Sequence, residues 1–342
     1  EATKKVFHED NFARAGQLKM IWPTVEQFSD DAYALDYLGA LISQGKKAPL
    51  YKVLEKEKGL SSSYYAYNGS QEITGGFNIV VTANGGKSLK DVEAAVFEAF
   101  DLFEKEGFTE EDVERIKAGL ETDFYNGISS ILGKAFQLAF YNEYGGAPDY
   151  YKTELAKTKA VTKEDILRVY NEYIKGKAYL ATSFVPKGQL DMIAEGSVQA
   201  NVVEENIANA TEVKIEEGED VIAMTETSFD RSIQPTDGAD PSLNLPLIWE
   251  DKLSNGMRVM GIQQSELPLI QFNVVLKGGH FLDGMDKPGV ANLLASLMME
   301  GTMNKTPQEL EEAIEALGAS IRMRASNSSI TITANTLARN YK

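Results

Sequence analysis

The chain has 342 residues, 43% hydrophobic and 25% charged, so it is long enough for two domains and can bury a sizeable core. Its formal net charge of −17 repels phosphate backbones and argues against nucleic-acid binding. With no cysteine, a disulfide framework, a thiolate nucleophile and a Cys-type zinc site are all excluded, and two solitary histidines, His8 and His280, cannot make a helical two-His metal motif.

In chain order, the polar start Glu1-Ala2-Thr3-Lys4 lacks the basic and apolar regions of a leader and is read as an interior start, with any targeting signal upstream. Gly16–Pro23 alternates Leu18, Met20 and Trp22, which predicts a strand. Ser29 is the expected cap of a helix through Ala32, Leu35, Leu38 and Ile42, and Pro49 opens a second helix through Val53 and Leu54. Leu60–Asn68 and Thr74–Ala83 read as a hairpin. Helices follow, with cap pairs Ser88/Asp91, Thr109/Asp112 and Thr162/Asp165, before a closing strand at Ala178–Val185. The fold class expected is α+β, an antiparallel sheet with helices packed on one face.

Residues 186–246 change character: four prolines and the acidic run Glu216–Asp220 predict a linker. A second domain then opens with strands around Ser254-Asn255-Gly256, a strand at Ile270–Leu276, and a helix from Gly289 to Glu300. The capping box Thr306-Pro307-Gln308-Glu309 starts a helix to Leu317, and two strands at Ile321–Ala325 and Ser329–Ala334 complete the pattern. The domains expected are 1–185, a linker at 186–246, and 247–342. No apolar run approaches the roughly 18 residues of a membrane span.

The second domain carries an ordered string: Leu253-x-Asn255-Gly256-Met257-x-Val259, Pro268, Gly278-Gly279, Asp283, Gly289-Val290-Ala291, Glu300-Gly301-Thr302 and Leu317-Gly318-Ala319. Phe229-Asp230-Arg231-Ser232-x-x-Pro235 precedes it. The string resembles the start of one half of a pitrilysin–insulinase (M16) zinc metallopeptidase, of the LuxS/MPP-like metallohydrolase type. The resemblance implies a His-x-x-Glu-His zinc motif at Asn292, Ala295 and Ser296, so this copy is degenerate.

It also implies that 1–185 is the lobe that binds no zinc, with an Arg/Tyr substrate-assisting pair falling on Glu55 and Ser62, where it is absent. The hairpin residues Asn68, Gly69, Gly75, Gly76 and Phe77 resemble an edge that anchors peptides. The function implied is a non-catalytic interior part of a zinc metalloendopeptidase, contributing chamber wall and an exosite. The alternative is a wholly non-catalytic scaffold subunit. The chain itself is expected to hold no cofactor, with zinc in the parent. Expected partners are peptide substrates and the parent's other domains or a partner subunit, with the periplasm placed ahead of the cytosol as the compartment.

Overall fold

The structure, a computed structural model, describes residues 2–202, 230, 232–234, 238 and 246–341. The acidic run Glu216–Asp220, and Phe229, Arg231 and Pro235 of the segment Phe229–Pro235, lie outside the described residues. Two compact units form: Glu1–Ala200 with Leu267–Lys342, and Asn201–Glu266.

The first unit opens with β1 (Lys4–Asp10), β2 (Gln17–Thr24) and helix α1 (Asp30–Ser43). A π-helical turn at Tyr51–Glu57 leads into the hairpin β3 (Ser63–Ser70) and β4 (Gly75–Thr82). Five helices follow: α2 (Leu89–Glu106), α3 (Glu110–Gly127), α4 (Ile131–Tyr144), α5 (Tyr151–Ala160) and α6 (Lys163–Val169). Strands β5 (Leu180–Pro186) and β6 (Val198–Gln199) complete a six-stranded sheet of order β3-β4-β2-β5-β1-β6.

The α+β expectation holds, and the sheet adds a detail to it. Strands β3, β4, β2 and β5 pair antiparallel, whereas β1 runs parallel to both β5 and β6. Residues 186–200, expected as linker, therefore return to the sheet, where Ala194 is fully buried and its N–H donates to Ser183 Oγ at 3.1 Å.

Alternation builds the core. Leu18, Met20 and Trp22 of β2 and Phe77, Ile79 and Val81 of β4 are all buried on one face, beneath α1 and α2. Trp22 meets Phe100 of α2 edge-on, with ring centroids 5.8 Å apart. The opposite face is open: Tyr65 and Tyr67 of β3 are exposed and stack at 5.8 Å, and Leu180 and Phe184 are exposed on β5, two strands further across.

Cap chemistry decides the helix starts. Thr109/Asp112 and Thr162/Asp165 form reciprocal capping boxes, and Ser88 accepts from the Lys90 N–H. Ser29 sits at the N-cap of α1 but makes no cap hydrogen bond with its side chain. The strand pair β7 (Ile248–Lys252) and β8 (Arg258–Ile262) forms the hairpin expected around Gly256, whose φ of 87° suits glycine.

Back in the first unit, β9 (Leu269–Lys277), α7 (Val290–Leu297), α8 (Pro307–Glu315), β10 (Ser320–Ala325) and β11 (Ser329–Leu337) follow. The three strands make a sheet of order β10-β11-β9, and Thr306/Glu309 closes the predicted capping box on α8. Polar contacts join this part to α3. Arg115 pairs with Glu315, Thr122 Oγ1 donates to the Gly318 carbonyl at 2.8 Å, and Arg339 grips Glu121 at 2.7 Å.

Helix α1 lies hard against the backbone of β3. A Cβ added at Gly39 would stand 3.1 Å from the Ala66 carbonyl oxygen and 3.3 Å from Tyr67 Cα. Backbone yields less readily than side chains, so Gly39→Leu is expected to cost about 1–3 kcal/mol in urea unfolding. Gly85→Ala, at a position with open space around it, should stay within about 0.5 kcal/mol of the parent chain.

Candidate functional site

The three positions expected for the zinc motif, Asn292, Ala295 and Ser296, fall on α7. Asn292 and Ser296 are exposed, while Ala295 is buried with Ala291 on the packed side of the helix. Asparagine and serine are poor zinc donors, and alanine cannot accept a proton from a metal-bound water, so the residues present do not fit a catalytic zinc. Among the described residues, no group of three or more His, Asp or Glu side chains is arranged to hold a metal ion.

Asp283 explains one element of the motif string. Its carboxylate accepts from the Gly289 N–H at 2.9 Å and the Ala291 N–H at 3.0 Å, fastening the loop to the start of α7. The Gly289 N–H, with help from Ala291 and from His280 at 3.4 Å, holds the Asp283 carboxyl below the usual aspartate range. Gly289 itself has a φ of 97°, in the left-handed region that favours glycine.

Glu55 and Ser62, expected at the Arg/Tyr positions, are both exposed, and the Glu55 carboxylate accepts from the Tyr64 hydroxyl at 2.9 Å. Burial, followed by this bond to Glu55, raises the Tyr64 pKa.

The five hairpin residues are split by strand alternation. Gly69 and Gly76 are paired on the open face, whereas Phe77 is fully buried in the core. The Asn68 side chain is committed: Oδ1 accepts from Thr24 at 2.9 Å and Nδ2 donates to Ser70 at 2.9 Å. Gly75, Gly76 and Phe77 also belong to β4, an inner strand, so within the hairpin only β3 lies at a sheet edge. A Cβ on Gly76 would meet Ile21 Cγ2 at 3.0 Å, and one on Gly75 would collide with the Val25 carbonyl. Packing between β2 and β4 thus accounts for both glycines.

The sequence reading missed a cavity of about 340 Å³ among α1, α3, α4 and α5. Asp36 of α1 and Glu154 of α5 both line it, with Tyr33 and Tyr141. Asp36 is the only residue of 32–42 that is not buried: it is exposed, where it lines the cavity. Desolvation, then the charge of Glu154, pushes its pKa up to about 7. Burial raises Glu154 too, against the hydrogen bond it accepts from Tyr141. The signal was available: an acid between buried Leu35 and Tyr37 in an otherwise apolar run.

Comparison with known families decides the affiliation. Residues 1–120 match the signature described as "Peptidase M16 inactive domain", and residues 259–341 match "Insulinase (Peptidase family M16)". The chain belongs to the M16 peptidase family. A "Zinc protease PqqE" of Helicobacter pylori is 25% identical over 148 residues, 42% of this chain and 32% of that protein. This M16 chain thus spans about a third of the length of that curated relative.

Among solved structures, a protease from Helicobacter pylori aligns at 18% identity with a TM-score of 0.48, covering 54% of this chain and 45% of its own. A peptidase M16 inactive domain from Pseudomonas fluorescens aligns at 16% identity with a TM-score of 0.45, covering 54% and 43%. No helix among the described residues is long and apolar enough to cross a membrane.

The raised Asp36 pKa has a defined consequence for stability. An unfolded aspartate titrates near 3.8 and the folded one at about 7. The folded state therefore holds the extra proton between those values, and stability falls as pH rises through about 7. Asp36→Asn should remove that contribution. In thermal melts, its advantage over the parent chain should widen from pH 5 to pH 8, and a constant difference would contradict the assignment.

Proposed function

We propose that this M16 chain is a non-catalytic part of a zinc-dependent metalloendopeptidase that hydrolyses peptides in an enclosed chamber. In this reading 1–185 is the lobe of the first half that binds no zinc, 186–246 joins the halves, and 247–342 begins a degenerate second half. One observation carries it: an inactive-domain match over residues 1–120 precedes an insulinase match over residues 259–341, and Asn292, Ala295 and Ser296, which we read as the zinc-motif positions, carry no zinc-ligating side chain. The chemistry of those three side chains supports a structural role for α7.

The sheet would supply chamber wall. Its open face carries a row of Tyr65, Val80, Lys19 and Thr182, and a second of Tyr67, Asn78, Ile21 and Leu180. Such a surface suits an extended peptide laid across it, and β3 at the sheet edge is free to pair with one. Zinc, water activation and bond cleavage belong, in this proposal, to a preceding half of the parent.

The alternative is a scaffold subunit with no zinc site anywhere in the parent. Peptide cleavage by the full-length parent, with and without chelator, separates the two. The enzyme reading expects cleavage that is lost on chelation and restored by zinc, together with His-x-x-Glu-His within the preceding ~200 residues, a domain's worth. A parent without that motif, zinc or cleavage would leave the scaffold reading.

A further inference from the structure

Helix α7 buries one side and leaves an apolar flank bare. It packs against β10 with Ala291 and Ala295 buried, while Val290, Leu293, Leu294 and Leu297 are between 49% and 60% exposed. At about 100° per residue those four fall in one stripe roughly 100° wide, on the flank away from Asn292 and Ser296. A surface helix normally turns such a stripe into the protein, and this one turns it to solvent. The turn His280–Leu282 lies beside α7 and adds Phe281 and Leu282, 76% and 78% exposed. Single exposed leucines are ordinary on a protein surface, but a contiguous apolar face marks an interaction site.

Charge narrows what can meet that face. No residue from 288 to 299 is charged. Over 267–342 seven Lys and Arg stand against seven Asp and Glu, so the net charge of −17 falls wholly on residues 1–266. Two copies of the chain repel each other through the acidic part and approach at least cost through the neutral one. Helix α4 also exposes Leu132, Phe136 and Phe140, but it belongs to the acidic part and carries Lys134 and Glu143. A basic partner would be drawn to residues 1–266 instead. The α7 flank offers no charge to recognise, so its complement is another apolar helix face, and each further copy of the chain brings one.

The stripe is also its own complement. Its four positions are symmetric about the midpoint between Leu293 and Leu294. Two α7 helices packed antiparallel across a two-fold axis at that midpoint set Leu293 against Leu294, and Val290 against Leu297 of the second copy. A two-fold contact needs this kind of match, because the same patch serves on both sides.

We propose that the chain forms a two-fold dimer in which the exposed flanks of α7 pack antiparallel, with Phe281 and Leu282 beside them. Helix α7 then has two packing sides, β10 within the chain and its own copy outside. The contact is small for a specific interface, so the dimer is reversible. The inference does not rest on the peptidase reading, because it uses only the side chains of 267–342 and the charge of the chain.

Sedimentation equilibrium of the 342-residue chain tests this. A monomer–dimer equilibrium is expected with a Kd of about 10 μM. Raising the salt from about 0.05 M to about 0.5 M should tighten it, because the acidic parts of the two copies are then screened from each other. Leu293→Glu sets two carboxylates against each other near the axis and should weaken the dimer roughly thirtyfold or more. Phe136→Glu, on α4, should leave the Kd unchanged. Both residues are exposed, so the circular dichroism of both variants should match that of the unaltered chain.

The orientation has its own test, since the chain contains no cysteine. With oxidised glutathione, a mixture of Val290→Cys and Leu297→Cys chains should form a disulfide-linked dimer faster than either variant does alone. A monomer at every concentration up to about 200 μM would overturn the proposal. So would a dimer that survives Leu293→Glu or yields equally to Phe136→Glu, and faster linkage of Val290→Cys to itself would overturn the antiparallel packing.

Discussion

One packing constraint governs the larger unit: the apolar rows of β2 and β4 must stay under α1 and α2. Leu18, Met20 and Trp22 face the helices beside Phe77, Ile79 and Val81. A slip of one residue would turn all six towards the open face, so the register is fixed by burial. That register sets Gly76 opposite Pro23 and Gly69, and it leaves β3 as the outer strand. Close packing of α1 on β3 then needs Gly39, and the same helix carries Tyr33 and Asp36 into the cavity against α4 and α5. Core, edge and cavity are consequences of one helix pressed onto one sheet.

Electrostatics follows the same division between what is paired and what is left open. Lys47 and the Thr109 cap hold Asp112 down to about 2 even though burial opposes them. Arg339, working against burial and with Lys159, keeps Glu121 below the usual glutamate range. Asp36 and Glu154 have no cation partner among the described residues, and they shift the other way. The carboxylates held by cations are pulled down, and those facing the cavity, where Glu154 has only the Tyr141 hydroxyl, are pushed up.

Much of this was legible in the sequence where the signal is local. Thr109/Asp112, Thr162/Asp165 and Thr306/Glu309 mark helix starts because a capping box is made by residues three apart. Strand β1 was not: Lys4–Asp10 is mostly polar, and its order comes from parallel pairing with β5, some 170 residues on. The roles of Gly75 and Gly76 depend on Val25 and Ile21 across the sheet, so their glycines read as a peptide-binding edge. The Asp36–Glu154 cavity draws on four helices, although an acid inside an apolar helical run was its trace in the sequence.

The central claim is that α7 in this M16 chain is a packing helix, with Ala291 and Ala295 buried and no zinc chemistry at Asn292, Ala295 and Ser296. The most direct measurement is metal analysis of the purified 342-residue chain after incubation with zinc and dialysis, paired with a fluorogenic peptide assay. The account predicts zinc far below one per chain and no cleavage that a chelator can abolish. One zinc per chain with chelator-sensitive cleavage would contradict it.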